Sequence, residues 1–203
     1  MKHYRRIAAL GLAATLLGGA ALAMPGGSVP ASGRLSFDVI RKGKDIGDYS
    51  LRFQQKGDGL VVNVRTDVAV KVPVIGVSAY RFEQTSTENW SGGKLQSLSS
   101  KTNDNGKAHD IHVGPSPLIP ASLWNADIVK SRKVLNTIDS STDAISVRNL
   151  GGESIATGHG KVSATHYALS GGLNRDLWFD GAGQLVHVRF AAEDGSTIDY
   201  VLR

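Results

Sequence analysis

Between Leu60 and Val72 every second residue is apolar or threonine (Leu60, Val62, Val64, Thr66, Val68, Val70 and Val72), while Asn63, Arg65, Asp67 and Lys71 fall between them. A helix would scatter these valines round its circumference, whereas a strand collects them into one stripe on one side of a sheet. Branching at Cβ also favours the extended backbone. The segment therefore reads as a half-buried strand whose apolar face must be covered by something. Lys56-Gly57-Asp58-Gly59 turns the chain ahead of it, and Pro73, which cannot donate to a ladder, ends it.

The same period of two recurs along the chain. Leu35, Phe37 and Val39 share a phase, as do Tyr49, Leu51 and Phe53 beyond the turn at Lys42-Gly43-Lys44-Asp45. Tyr80, Phe82, Gln84, Ser86, Glu88 and Trp90 form another run, closed by Ser91-Gly92-Gly93. Residues 95–102 and 107–113 flank Asn103-Asp104-Asn105-Gly106, in which Asn105-Gly106 is a favoured hairpin turn. Towards the C-terminus, residues 162–169, 175–179, 184–190 and 197–202 are separated by short Gly- and Asp-containing turns. This gives about ten strands joined by turns too short for a parallel crossover. The exception is residues 114–140. Pro115, Pro117 and Pro120 interrupt that stretch, and Ala121-Ser122-Leu123-Trp124 opens a short helix running to about Val129, a plug over one end of the core. With at most one short helix to cover them, the strands must bury their apolar faces on one another. The expected fold is all-β: a single strongly curved antiparallel sheet, a half-barrel or barrel-like meander.

The first 23 residues have the form of a secretory signal. Lys2, Arg5 and Arg6 precede an apolar stretch that ends in Ala21-Leu22-Ala23, so cleavage is expected after Ala23. Residues 24–33, rich in Gly, Pro and Ser, read as a flexible linker, and residues 34–203 as a single β domain. The first 23 residues carry three of the 23 basic residues and none of the 18 acidic ones, so the excess charge falls from +5 to +2 on cleavage. That is too little for a nucleic-acid surface. With no cysteine, disulfides, thiolate metal sites, cysteine nucleophiles and lipidation of a cysteine behind the signal are excluded. The mature protein is expected to be soluble, in the periplasm or secreted, with no membrane span.

Tyr80-Arg81-Phe82, Glu88-Asn89-Trp90, Gly93-Lys94-Leu95, the Asn103-Asp104-Asn105-Gly106 hairpin, residues 176–180 with Gly183, and Asp194-Gly195 together resemble a family of exported bacterial proteins with a domain of unknown function. That family is similar in pattern to carriers of the outer-membrane lipoprotein-localisation type. The resemblance implies a curved sheet cupping an apolar ligand, and it implies no catalytic residues.

The chemistry-bearing residues support no enzyme motif. His109 and His112 point to opposite faces of one strand, and His166 and His187 lie on different strands without a carboxylate at ligand spacing, so no metal is expected. Asn103-Asp104-Asn105-Gly106 lacks the acidic ends of a calcium loop. Ser91-Gly92-Gly93-Lys94 has serine acyl-enzyme spacing, but in a turn rather than on a helix. Asp176 and Asp180 share a strand face with Trp178; Asp180 is expected to open the following turn through its side chain, with Asp176 solvated. The aromatic residues carry the functional expectation: Tyr80, Phe82, Trp90, Trp124 and Trp178 line a ligand site inside the curl, the alternative being a filled core. The expected function is non-catalytic binding or carriage of an apolar or amphiphilic, lipid-like small molecule, without a cofactor. Pairing of a sheet edge with a protein partner is one alternative, and a hydrolase using Asp176 and Asp180 is another.

Overall fold

The computed structural model describes residues 29–71 and 78–203. The signal segment, the first part of the linker, Val72 and Pro73 lie outside these residues. The chain forms β1 (Arg34–Arg41), β2 (Lys44–Lys56), β3 (Gly59–Lys71), β4 (Ser78–Ser91), β5 (Lys94–Asp104), β6 (Lys107–Val113), β7 (Ile119–Pro120), β8 (Lys133–Leu135), β9 (Thr142–Thr157), β10 (Gly160–Gly171), β11 (Arg175–Asp180), β12 (Leu185–Ala191) and β13 (Thr197–Leu202). All 13 strands belong to one sheet in the order β6-β5-β4-β3-β2-β1-β13-β12-β11-β10-β9-β8-β7. The first and last long strands pair at the centre, Phe37 opposite Leu202 and Val39 opposite Tyr200, and each half runs outward from them through antiparallel neighbours, except that the outermost pair, β7 and β8, is parallel. Sequence neighbours are thus spatial neighbours everywhere except at the seam between β6 and β7, where an up-and-down barrel would close and this sheet stays open.

The curl arises because the period-two stripes are buried. Leu35, Phe37 and Val39 of β1, Tyr49, Leu51 and Phe53 of β2, and Leu60, Val62, Val64 and Val68 of β3 join one core with Leu177 and Phe179 of β11 and Leu185 and Val188 of β12. Each such side chain gains roughly 1.5–3 kcal/mol on burial, and no helix layer covers the sheet among the described residues. The segment between β6 and β8 lies over the seam. Ser116 N donates to Leu95 O at 3.1 Å, and Ala121 N donates to Leu135 O at 2.9 Å. Leu123, Trp124 and Ile128 of this cap are buried in the core.

Two local expectations are corrected, and one long strand joins the sheet without a continuous stripe. The helix sits at Ala126–Lys130 and is a 3-10 helix capped by Asn125, whose side chain accepts from Asp127 N; Ala121 to Trp124 precede it, with Leu123 at φ 67°. Val29 to Gly33 form no free linker, because Gly33 N donates to Pro30 O, Phe53 N donates to Gly33 O, and Val29 packs on the core. β9, at 16 residues the longest strand, has no continuous alternation. Its stripe breaks at Gly151-Gly152, where a bulge opposite His166/Tyr167 and a φ of 97° at Gly151 bend the β9–β10 hairpin. The bent hairpin crosses the outside of β11–β13, and Gly158 N donates to Leu202 O at 2.7 Å.

Candidate binding site under the cap segment

β4 carries an inward face that is only partly apolar. Thr66 of β3, Ser86 and Glu88 of β4, and Ser100 and Thr102 of β5 are all buried on the inner side. Registry places them together, with Thr66 opposite Gln84, Gln84 opposite Thr102, and Ser86 opposite Ser100. Gln84 Nε2 donates to Thr102 Oγ1 at 3.0 Å and to the Thr137 carbonyl at 3.1 Å, tying β4 to the loop beyond the seam.

Glu88 lies at the centre of the site with 0% exposure. Its Oε2 accepts from Trp90 Nε1 at 2.9 Å and from Trp124 Nε1 at 3.0 Å. Its Oε1 and the buried hydroxyls of Ser100 and Ser122 make no hydrogen bond of good geometry, although the Ser122 hydroxyl lies close enough to the carboxyl to favour its charged form. Desolvation holds the Glu88 carboxyl above the ordinary carboxylate range, against the opposing pull of the Ser122 hydroxyl and the two indole N–H groups. Trp124 stands edge-on to Trp90 (centroids 5.6 Å apart) and to Phe53 (5.3 Å), and the Tyr49 hydroxyl donates to the Ser122 carbonyl. The cap is thus fastened by one indole, one phenol and the backbone bonds at its ends. Chemically, the site offers one buried carboxyl oxygen and the hydroxyls of Ser100 and Ser122 beside the further buried hydroxyls of Thr66, Ser86 and Thr102, an arrangement that can orient a polar group.

The five aromatic residues do not line one space. Trp90 and Trp124 meet at Glu88. Phe82 is half-buried against the core further along β4, and Tyr80 is 38% exposed, its hydroxyl donating to Asp104. Trp178 is on the opposite side of the sheet, where it forms a separate small core with Ala164 and Val186 under the bent hairpin. Leu177 and Phe179, its neighbours on β11, are the ones facing inward. Trp178 belongs with a set the sequence reading missed. Its ring stacks on His166 at 4.0 Å and meets His187 edge-on at 4.9 Å, and its Nε1 donates to Glu153 at 2.6 Å. His166 lies between Glu153 (3.0 Å) and Asp176 (2.9 Å), and His187 Nε2 is 2.9 Å from Asp199. Asp176 is thus engaged by His166 while its side chain stays 38% exposed, and Asp180 accepts from Ala182 N and Gln184 N and opens its turn as expected. The shared phase of Asp176 and Trp178 was the available signal. The histidines were obscured by a bulge on β12, which puts Leu185 and His187 on opposite faces.

The sequence signature of the domain of unknown function DUF6134 matches residues 37–203. The chain belongs to this family. This DUF6134 chain is also similar to a crystal structure described as a beta-barrel-like protein of domain of unknown function DUF1849 from Brucella abortus. The two share 9% sequence identity at a TM-score of 0.58, over 84% of this chain and 96% of that one. At that identity the likeness shows the fold alone. No curated protein matches the DUF6134 chain.

Proposed function

We propose that the protein is an exported, non-catalytic binding protein for an amphiphilic small molecule. The polar group of the ligand would meet Glu88, Ser100 and Ser122 while its apolar part replaces contacts between the cap and the core. The observation that carries this reading is a fully buried carboxyl with one unpartnered oxygen, set beneath a cap that covers an open barrel seam. A plain core would favour an apolar residue at position 88, because burying a polar atom without a partner costs about 1–3 kcal/mol. Entry would occur across the β6–β7 seam by displacement of Trp124 and Ser122. The pattern likeness to outer-membrane lipoprotein carriers forms part of the same reading.

The test is solvent extraction of the purified protein, together with titration by a neutral apolar dye read through tryptophan emission in a Trp178→Phe background. Trp90 and Trp124 then report on the Glu88 site alone. Co-extracted amphiphile and a saturable change in emission support the reading; absence of both refutes it. Pairing with a partner strand is the second reading, favoured by the outer edge of β6, which has no neighbouring strand in the sheet order. Crosslinking from Lys107, at the start of β6, distinguishes it.

A further inference from the structure

The outside of the β1–β6 half carries a second organised surface. Pairing registers align its outward side chains into rows that run across the strands. One row reads Arg34, Arg52, Asn63, Thr87, Ser99 and His112, each directly opposite the next. The neighbouring row contains Arg65 and Lys101, each facing Thr85. Together the two rows line a groove of about 620 Å³. Six strands at about 4.8 Å spacing make it roughly 24 Å long.

The charges within it are unevenly satisfied. Arg65 is held by Asp67 at 3.0 Å and Lys101 by Asp110 at 3.5 Å. Arg34 and Arg52 have no acidic partner among the described residues, although they lie directly opposite each other on adjacent strands. Like charges so placed repel, and an unliganded sheet gains nothing from keeping them there. A third row, Asp38, Asp48, Asp67 and Glu83, forms an acidic margin along one side. Arg203 pairs with Asp38 and Asp48, and Arg81 with Glu83 and Asp67. An anion is thereby attracted to the Arg34–Arg52 end, where the guanidiniums have no carboxylate of their own among the described residues, rather than to the margin, whose arginines are already paired.

We propose that this groove binds an acidic oligosaccharide, with a sugar carboxylate forked between Arg34 and Arg52 and the following hydroxylated units lying across Asn63, Thr87 and Ser99. Two adjacent guanidiniums offer planar, bidentate donors suited to an oxyanion. The hydroxyls and the amide beyond them both donate and accept, as a polyol requires, and they recur at the spacing of the strands. Neither row contains Phe, Tyr or Trp, and His112 stands alone at the far end, so the row of stacking rings that a single-stranded nucleic acid uses is absent from the groove. The site lies on the opposite face from Glu88 and does not depend on the amphiphile reading.

The test is calorimetric titration of the purified chain with tetragalacturonate, with cellotetraose as the neutral control and inorganic phosphate as the isolated oxyanion. Tetragalacturonate is expected to bind at least about tenfold more tightly than either control, and to weaken as salt is raised. Arg34→Gln/Arg52→Gln is expected to lose at least about tenfold in affinity. Both side chains are exposed and their repulsion is relieved, so the melting temperature should not fall. Asn63→Asp, which keeps the oxygen that accepts from Thr87 but sets a negative charge beside Arg52, should weaken binding in the same direction. Equal binding of cellotetraose, equal binding of phosphate, undiminished binding by the double variant, or no heat with tetragalacturonate at about 5 mM would each overturn the proposal.

Discussion

Truncation of Trp124 tests how the cap is held. Its side chain is 2% exposed, packs edge-on against both Trp90 and Phe53, and donates one of the two hydrogen bonds reaching Glu88 Oε2. Trp124→Ala removes the packing, at about 3–5 kcal/mol, and leaves the buried carboxyl with a single donor, at a further cost of about 1–3 kcal/mol. Trp124→Phe retains most of the ring contact and removes only the N–H, so its cost should be about 1–3 kcal/mol. Equilibrium urea unfolding measures both. With a slope near 2 kcal/mol per molar, the alanine variant should lose roughly 2 M or more in midpoint and the phenylalanine variant about 1 M. Because the whole fold is worth about 5–15 kcal/mol, the loss in Trp124→Ala is large enough to populate unfolded chains without denaturant, and the phenylalanine variant then carries the measurement. If the alanine variant loses less than about 1 kcal/mol, or if the two variants lose the same amount, the cap is not anchored through this indole.

Glu88 should impose a pH slope on stability. Desolvation raises its folded-state value above the unfolded one of about 4.3, so the native state binds the proton more tightly. The contribution of Glu88 to stability is therefore greatest below the unfolded value and falls as pH rises towards the folded value, at up to about 1.4 kcal/mol per pH unit; Glu88→Gln should remove that component, and parallel urea-midpoint profiles for the two proteins would contradict the assignment. Gly47 tests the register of β2. A Cβ there would lie 1.9 Å from the Asp67 carbonyl oxygen, at a φ of 149°, so Gly47→Ala must part the β2–β3 ladder and lower the melting temperature far more than Gly43→Ala, where the added carbon meets open space. Equal melting temperatures for the two variants would show that β2 does not approach β3 as described.

The strand faces were largely legible in the residue order. Alternation in Leu60 to Val68 and in Leu35 to Val39 identified which side chains turn inward, since nothing interrupts the period there. Asn105 and Gly106 at φ 52° and 95° form the left-handed turn that their residue types favour. Legibility ended at irregularities. The bulge between Trp178 and Phe179 in the β11–β12 pairing shifts His187 relative to Leu185, and the Gly151 bend breaks the β9 stripe. A slip of one residue exchanges the two faces of a strand, so patterns read across a bulge place side chains on the wrong side. The partnership of Glu88 with Trp124 spans 36 residues and an irregular segment, with no periodic signal to announce it.

Residue order alone dictates the all-β class, the local hairpins and the inward face of each regular strand, because these follow from backbone sterics and side-chain alternation within a few residues. Which strands stand side by side, the open seam of the barrel, and the placement of the buried carboxyl and the paired arginines on opposite faces of one sheet emerge only in the folded chain. Those features depend on register and curl summed over many strands, where each turn length and each bulge adds an offset that no single segment encodes.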